Sequence, residues 1–136
     1  MDIYNTEYTQ SEGKKNGVLE DNLRKDREVA DIQREGFRKA HRAGVKMVYG
    51  TDSGVHPHGD NGKQFRWMVQ YGMTPAQSIQ TATANAAEAL GRKDIGVIEA
   101  GRYADIVAVK GNPAQDVSLL EQVDFVMKGG EVVKKP

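Results

Sequence analysis

Val45-Lys46-Met47-Val48-Tyr49-Gly50-Thr51-Asp52 decides how the chain is read. The β-branched and aromatic residues predict a short strand over 45–49, closed by Gly50. The glycine, proline and aspartate content of the stretch that follows, through Gly62, predicts a loop. Asp52 therefore stands just past the carboxyl end of a strand and ahead of a helix. In parallel α/β architectures catalytic groups collect there, because strand ends converge while loops vary freely. A carboxylate in that place can hold a cation and take a proton from water. Aspartate is also a common turn former that satisfies loop amides, and spacing alone leaves both readings open.

His56 and His58 share this loop, two residues apart around Pro57. One reading has them lining the mouth of a site and donating to a substrate carboxylate or carbonyl. The other makes them exposed polar loop residues. His41, late in a charged helix, reads as a surface residue that complements the helix dipole.

Outward from the loop, residues 1–17 are polar with glycine and asparagine breakers and predict a loop. From Leu19 to Ala43 the period becomes helical, with Val29, Ile32, Gly36, Ala40 and Ala43 on one face and Gly44 as the stop. A second helix is expected over 63–71, with Phe65, Met68 and Val69 inward and the Trp67 and Tyr71 rings in the core. Thr74-Pro75 opens a third helix, threonine as N-cap and proline at the first position. Thr83 to Leu90 is alanine-rich and helical, a packing surface rather than chemistry. Beyond Gly91 the pattern changes to strands: Ile106 to Val109, then Val123–Met127 and Glu131–Val133 around the Gly129-Gly130 turn. Two segments follow from this, 1–92 and 93–136.

Composition narrows the function classes. Lysine plus arginine balance aspartate plus glutamate at 19 each, which excludes a strong field toward nucleic acid or an anionic membrane. There is no cysteine, so thiolate metal sites and disulfides are excluded. No apolar run reaches the roughly 20 residues of a membrane span. The start shows no basic and apolar leader pattern, so a cytoplasmic location is expected if that start is natural. Gly54, Gly59 and Gly62 do not form a phosphate-cradling fingerprint.

Three stretches taken together resemble one family. Gly50-Thr51-Asp52 after a strand is similar to the eighth barrel strand of the amidohydrolase superfamily. Thr81 through Gly91 resembles the helix that follows it there. Ile95 through Val107, with the Val123–Val133 hairpin, resembles the return of the chain to a small β-sandwich beside the barrel. The long charged helix and the Gly50–Asn61 loop look most like the imidazolonepropionase-related branch, which includes dipeptidases cleaving Xaa-Pro or Xaa-Arg dipeptides and N-acyl amino acids.

The resemblance implies an α/β fold: the carboxy-terminal piece of a TIM-type (β/α)8 barrel, last strand and helices, plus strands of a small β-sandwich. It implies hydrolysis of C–N bonds with a divalent metal, zinc first, and Asp52 as both metal ligand and proton shuttle. His56 and His58 match no metal position of the family and remain candidates for contacting substrate. The family's other ligands, a His-x-His pair, a carboxylated lysine and two further histidines, lie on earlier strands that have no counterpart in this sequence. One carboxylate falls short of the three or so protein ligands of catalytic zinc, so the isolated chain is expected to be silent. Unpaired strand edges lead to the expectation of a homo-oligomer, or of docking with an amino-terminal portion. The competing reading is a non-catalytic structural or oligomerisation domain.

Overall fold

Tyr4, Thr6, Tyr8 and Thr9 turn their side chains into the protein, and this buried face makes a helix of the amino-terminal stretch expected to be a loop. The computed structural model describes residues 3–136, and the helix α1 spans Tyr4–Glu12. The polarity of α1 hid it. Its buried face is hydroxyl-rich, and Thr6 Oγ1 reaches Gln33 at 2.6 Å and Asp26 at 3.2 Å instead of an apolar stripe. Residues 1 and 2 of the expected loop lie outside the described residues.

Helix α2, Glu20–Arg42, ends where the sequence places it, but it packs on a different face. Leu23, Ala30 and Phe37, spaced by seven, are buried, while Val29 and Ile32 are exposed at 52% and 73%. Packing against α1 selects the first set, because the Thr6 contacts bring Asp26 and Gln33 to the same side. Arg34 and Glu7 then close the junction at 2.8 Å.

A turn of 3-10 helix at Asp60–Lys63 leads into α3, Gln64–Gln70, and then into α4, Pro75–Ala82, and α5, Ala84–Ala89. Thr74 caps α4 reciprocally: its hydroxyl accepts from Gln77 N at 3.2 Å, and Gln77 Oε1 accepts from Thr74 N at 2.8 Å. Ile3, Phe37, Met68, Tyr71 and Met73 form the core cluster, with Met47, Tyr49 and Trp67 packed on it. The Trp67–Tyr71 pair therefore sits where the aromatic stripe suggested.

Residues 45–49 form no ladder, contrary to the expected strand. A barrel strand needs flanking parallel strands, and the described residues supply none. Helices take over part of its pairing: Tyr49 N donates to Thr81 O at 3.0 Å, and Asn85 Nδ2 donates to Met47 O at 3.0 Å.

The remainder is an antiparallel three-stranded sheet in the order β1, Ile106–Ala108; β2, Phe125–Lys128; β3, Glu131–Lys134. Ile106 pairs with Met127 and Ala108 with Phe125. Gly129 and Gly130 both have positive φ, 56° and 86°, as a primed hairpin turn requires. A 3-10 turn at Val117–Glu121 packs on the Asp60–Lys63 turn, so closely that a Cβ on Gly62 would collide with the Leu120 carbonyl.

One junction gives a pH prediction. The Tyr71 hydroxyl donates to Glu7 Oε1 at 2.5 Å, and the Arg38 guanidinium lies 4.7 Å from the ring centroid. Burial, followed by the hydrogen bond to Glu7, pushes the phenol from 10.0 up to about 12. The folded chain thus keeps this proton longer than the unfolded chain. Its stabilising contribution is complete below pH 10 and disappears as pH rises to about 12. The urea midpoint should fall across that window, and Tyr71→Phe should reduce the fall. Identical pH profiles for the two proteins would exclude the assignment.

Candidate functional site

The loop between Tyr49 and α3 is fastened at several points, while Asp52 makes no hydrogen bond among the described residues. Thr51 is buried, and its Oγ1 accepts from Asn61 Nδ2 at 3.0 Å. The Asn61 Oδ1 accepts from Gly59 N at 3.2 Å, and the Asn61 carbonyl accepts from the Tyr49 hydroxyl. Gln64 Nε2 donates to Gly50 O at 2.8 Å. Asn61 thus ties the end of the loop to its beginning, and Gln64 ties that beginning to α3.

Asp52 has φ 45°, in the left-handed region, and no other non-glycine among the described residues has positive φ. Aspartate and asparagine tolerate this conformation better than most side chains, but it persists only where the surroundings hold it. The side chain is exposed, and among the described residues no group hydrogen-bonds to its carboxylate. A turn former would spend its oxygens on loop amides; Asp52 does not. Its carboxylate keeps both oxygens open to a ligand or a proton.

The two loop histidines part company. His58 is exposed, its Nδ1 3.4 Å from Ser53 Oγ. His56 is 2% exposed and lies under α1, its ring 4.7 Å from that of Tyr4 and 6.2 Å from that of Tyr8. Its Nδ1 is 3.2 Å from Pro57 O, and its Nε2 has no partner among the described residues. His56 therefore faces the aromatic side of α1, whereas His58 stays at the surface. His41, the third histidine, places Nε2 3.0 Å from Gly72 O.

Asp60 anchors the end of the loop. It accepts from Lys63 Nζ at 2.8 Å and from the Tyr4 hydroxyl at 3.1 Å. The bond from Lys63 holds its carboxyl below the usual carboxylate range, and the Tyr4 bond adds to this. Asp60 is thus engaged in structure, whereas Asp52 is exposed and unbonded among the described residues.

Whether these residues fit a catalytic metal follows from the donor set. Among the described residues there is no group of three or more histidine, aspartate or glutamate side chains able to hold an ion. Asp52 can give one ligand where about three are needed. The described residues alone therefore do not complete a metal site. Among the described residues, too, no helix is long and apolar enough to cross a membrane.

The sequence pointed to Asp52, His56 and His58 but not to Gln64, Asn61, Tyr4 or Tyr8. The tyrosines carry a signal, an i,i+4 aromatic pair, within a stretch that otherwise looks unstructured. Gln64 and Asn61 carry none, since a single amide side chain has no period.

An exposed carboxylate on a fastened loop thus lies between helices that lead to a small antiparallel sheet, an α/β arrangement. The family model described as the amidohydrolase family matches residues 3–133, and the chain belongs to that family. It is 32% identical over 126 residues to the ochratoxinase of Aspergillus niger, an alignment covering 88% of this chain and 26% of that protein. It is 45% identical over 65 residues to the imidazolonepropionase of Shouchella clausii, covering 45% of this chain and 14% of the other. The crystal structure of a Xaa-Pro dipeptidase with bound methionine superposes with a TM-score of 0.88 at 41% identity, over 97% of this chain and 33% of that one. The architecture is accordingly α/β, that of the carboxy-terminal part of an amidohydrolase, barrel helices followed by sandwich strands. The chain spans about a quarter of the ochratoxinase and a third of the dipeptidase.

Proposed function

We propose that this chain supplies the reactive aspartate of an enzyme that hydrolyses C–N bonds, with dipeptides or N-acyl amino acids as substrates. Asp52 carries the proposal: an exposed carboxylate, free of hydrogen bonds among the described residues, in a left-handed backbone position. Membership in the amidohydrolase family supports the reaction class, and the Xaa-Pro dipeptidase likeness supports the substrate class.

In this role Asp52 takes a proton from the attacking water as its oxygen bonds to the scissile carbonyl carbon. It gives that proton to the nitrogen as the C–N bond breaks, so the carboxylate ends as it began. His58, exposed on the same loop, is the better placed of the two histidines to meet a substrate carboxylate; His56 would have to leave its tyrosines. A divalent ion, zinc first, would complete the centre only with ligands from further polypeptide, and Asp52 would be one of its ligands. The proposed assembly is therefore this chain with an amino-terminal portion, or an oligomer.

The test is to purify the chain alone and together with the two-thirds of the Xaa-Pro dipeptidase chain that it does not cover. Metal content and hydrolysis of Xaa-Pro, Xaa-Arg and N-acyl substrates are then measured. Bound metal and turnover are expected in the complex, and neither in the chain alone. A stable complex that is metal-free and inert would favour a non-catalytic oligomerisation domain instead.

A further inference from the structure

We propose that Gln64 is a positioning residue for Asp52, and that it works by fixing the site loop to the start of α1. The proposal rests on the reading of Asp52 given above. Gln64 is fully buried at 0% exposure, and its side-chain amide joins three parts of the fold. Its Oε1 accepts from Ile3 N at 3.1 Å and from Tyr4 N at 3.4 Å. These are amides at the start of a helix, where donors have no carbonyl of their own turn to bond. Its Nε2 donates to Gly50 O at 2.8 Å, two residues before Asp52.

Asp52 has no hydrogen bond of its own among the described residues, so its direction is set by the backbone that carries it. That backbone enters the left-handed region at φ 45°. Gln64 holds the Gly50 carbonyl, and Asn61 holds the Thr51 hydroxyl, immediately before the turn. The geometry requires an acceptor and a donor at the end of a two-methylene stem, which only the glutamine amide supplies at neutral pH. A carboxylate would keep the acceptor and lose the donor; a thioether would lose both.

Helix α1 reinforces the same loop further along. The Tyr4 hydroxyl reaches Asp60, and the Tyr4 and Tyr8 rings cover His56. Asn61 at Thr51 and Gln64 at Gly50 hold the backbone just before Asp52, and the contacts of Tyr4 and Tyr8 act further along the loop. Positioning of the carboxylate therefore depends on Gln64 more than on α1 as a whole.

Two variants test this in the chain itself by backbone relaxation. Gln64→Met should lower the order parameters of residues 51–53 from about 0.85 to below about 0.6 while α2 and α4 stay rigid. Gln64→Glu should do the same near neutral pH. It should recover as pH falls through the range of the introduced carboxyl, which burial pushes above the free value of about 4.3, because the protonated form regains a donor. Unchanged order at 51–53 would overturn the proposal, as would equal loosening of every helix or a pH-independent Gln64→Glu. In the complex with the dipeptidase portion, Gln64→Met should lower kcat by up to ~100-fold with KM nearly constant. Asp52→Asn, run in parallel, separates the two ideas. Full turnover in Asp52→Asn would remove the catalytic reading, while the relaxation data decide the role of Gln64 by themselves.

Discussion

Asp52→Asn should reduce kcat of the assembled enzyme by roughly 10²–10⁴-fold, the usual worth of a positioned general base. Stability of the chain should change by no more than about 0.5 kcal/mol, because the carboxylate is exposed and makes no hydrogen bond among the described residues. Asparagine is the right substitution because it tolerates the left-handed region nearly as well as aspartate. Alanine at φ 45° would add backbone strain on the order of 1 kcal/mol, mixing a conformational effect with a chemical one. Steady-state kinetics on a Xaa-Pro dipeptide, with urea denaturation of the same samples, measures both. An inactive but equally stable Asp52→Asn places the aspartate in the chemistry. An active one removes it, and an unstable one shows that the carboxylate has a structural partner.

The sequence signals that succeeded were local. Thr74-Pro75 announced the start of α4, Gly129-Gly130 announced the hairpin, and Gly44 announced the end of α2. Each depends on what a residue allows or caps in its own stretch of backbone, so neighbours in space are not needed. The failures were tertiary. Helix α1 buries threonine and tyrosine against α2 and the site loop, which leaves no apolar period to read. Residues 45–49 have strand composition, but a ladder also needs partners, and helices provide their hydrogen bonds here. For the site, the position of Asp52 after an extended segment could be read, because glycine and proline punctuate the loop. The burial of His56 could not, since it results from two tyrosines more than 45 residues away in sequence. Gln64 was hidden for the same reason: its three partners are supplied by folding.

Phe37→Ala should be the most damaging of the core changes. Phe37 is 0% exposed in the middle of α2 and belongs to the cluster of Ile3, Met68, Tyr71 and Met73, where α1, α2 and α3 meet. Removing a fully buried ring typically costs about 3–5 kcal/mol, lost transfer energy together with the cavity left behind. Domains of this kind have only about 5–15 kcal/mol in total, so the variant should lose about a fifth or more of its stability. Ile32→Ala on the same helix is the informative control. Ile32 is 73% exposed, and alanine is the better helix former, so its change should stay within about 0.5 kcal/mol. The sequence period put Ile32 on the inner face, whereas the structure puts Phe37 there. Urea midpoints of the two variants decide between these faces. If Ile32→Ala costs as much as Phe37→Ala, then α2 packs along the Val29–Ile32 stripe. Its contacts with α1, and the support they give to the site loop, would then have to be redrawn.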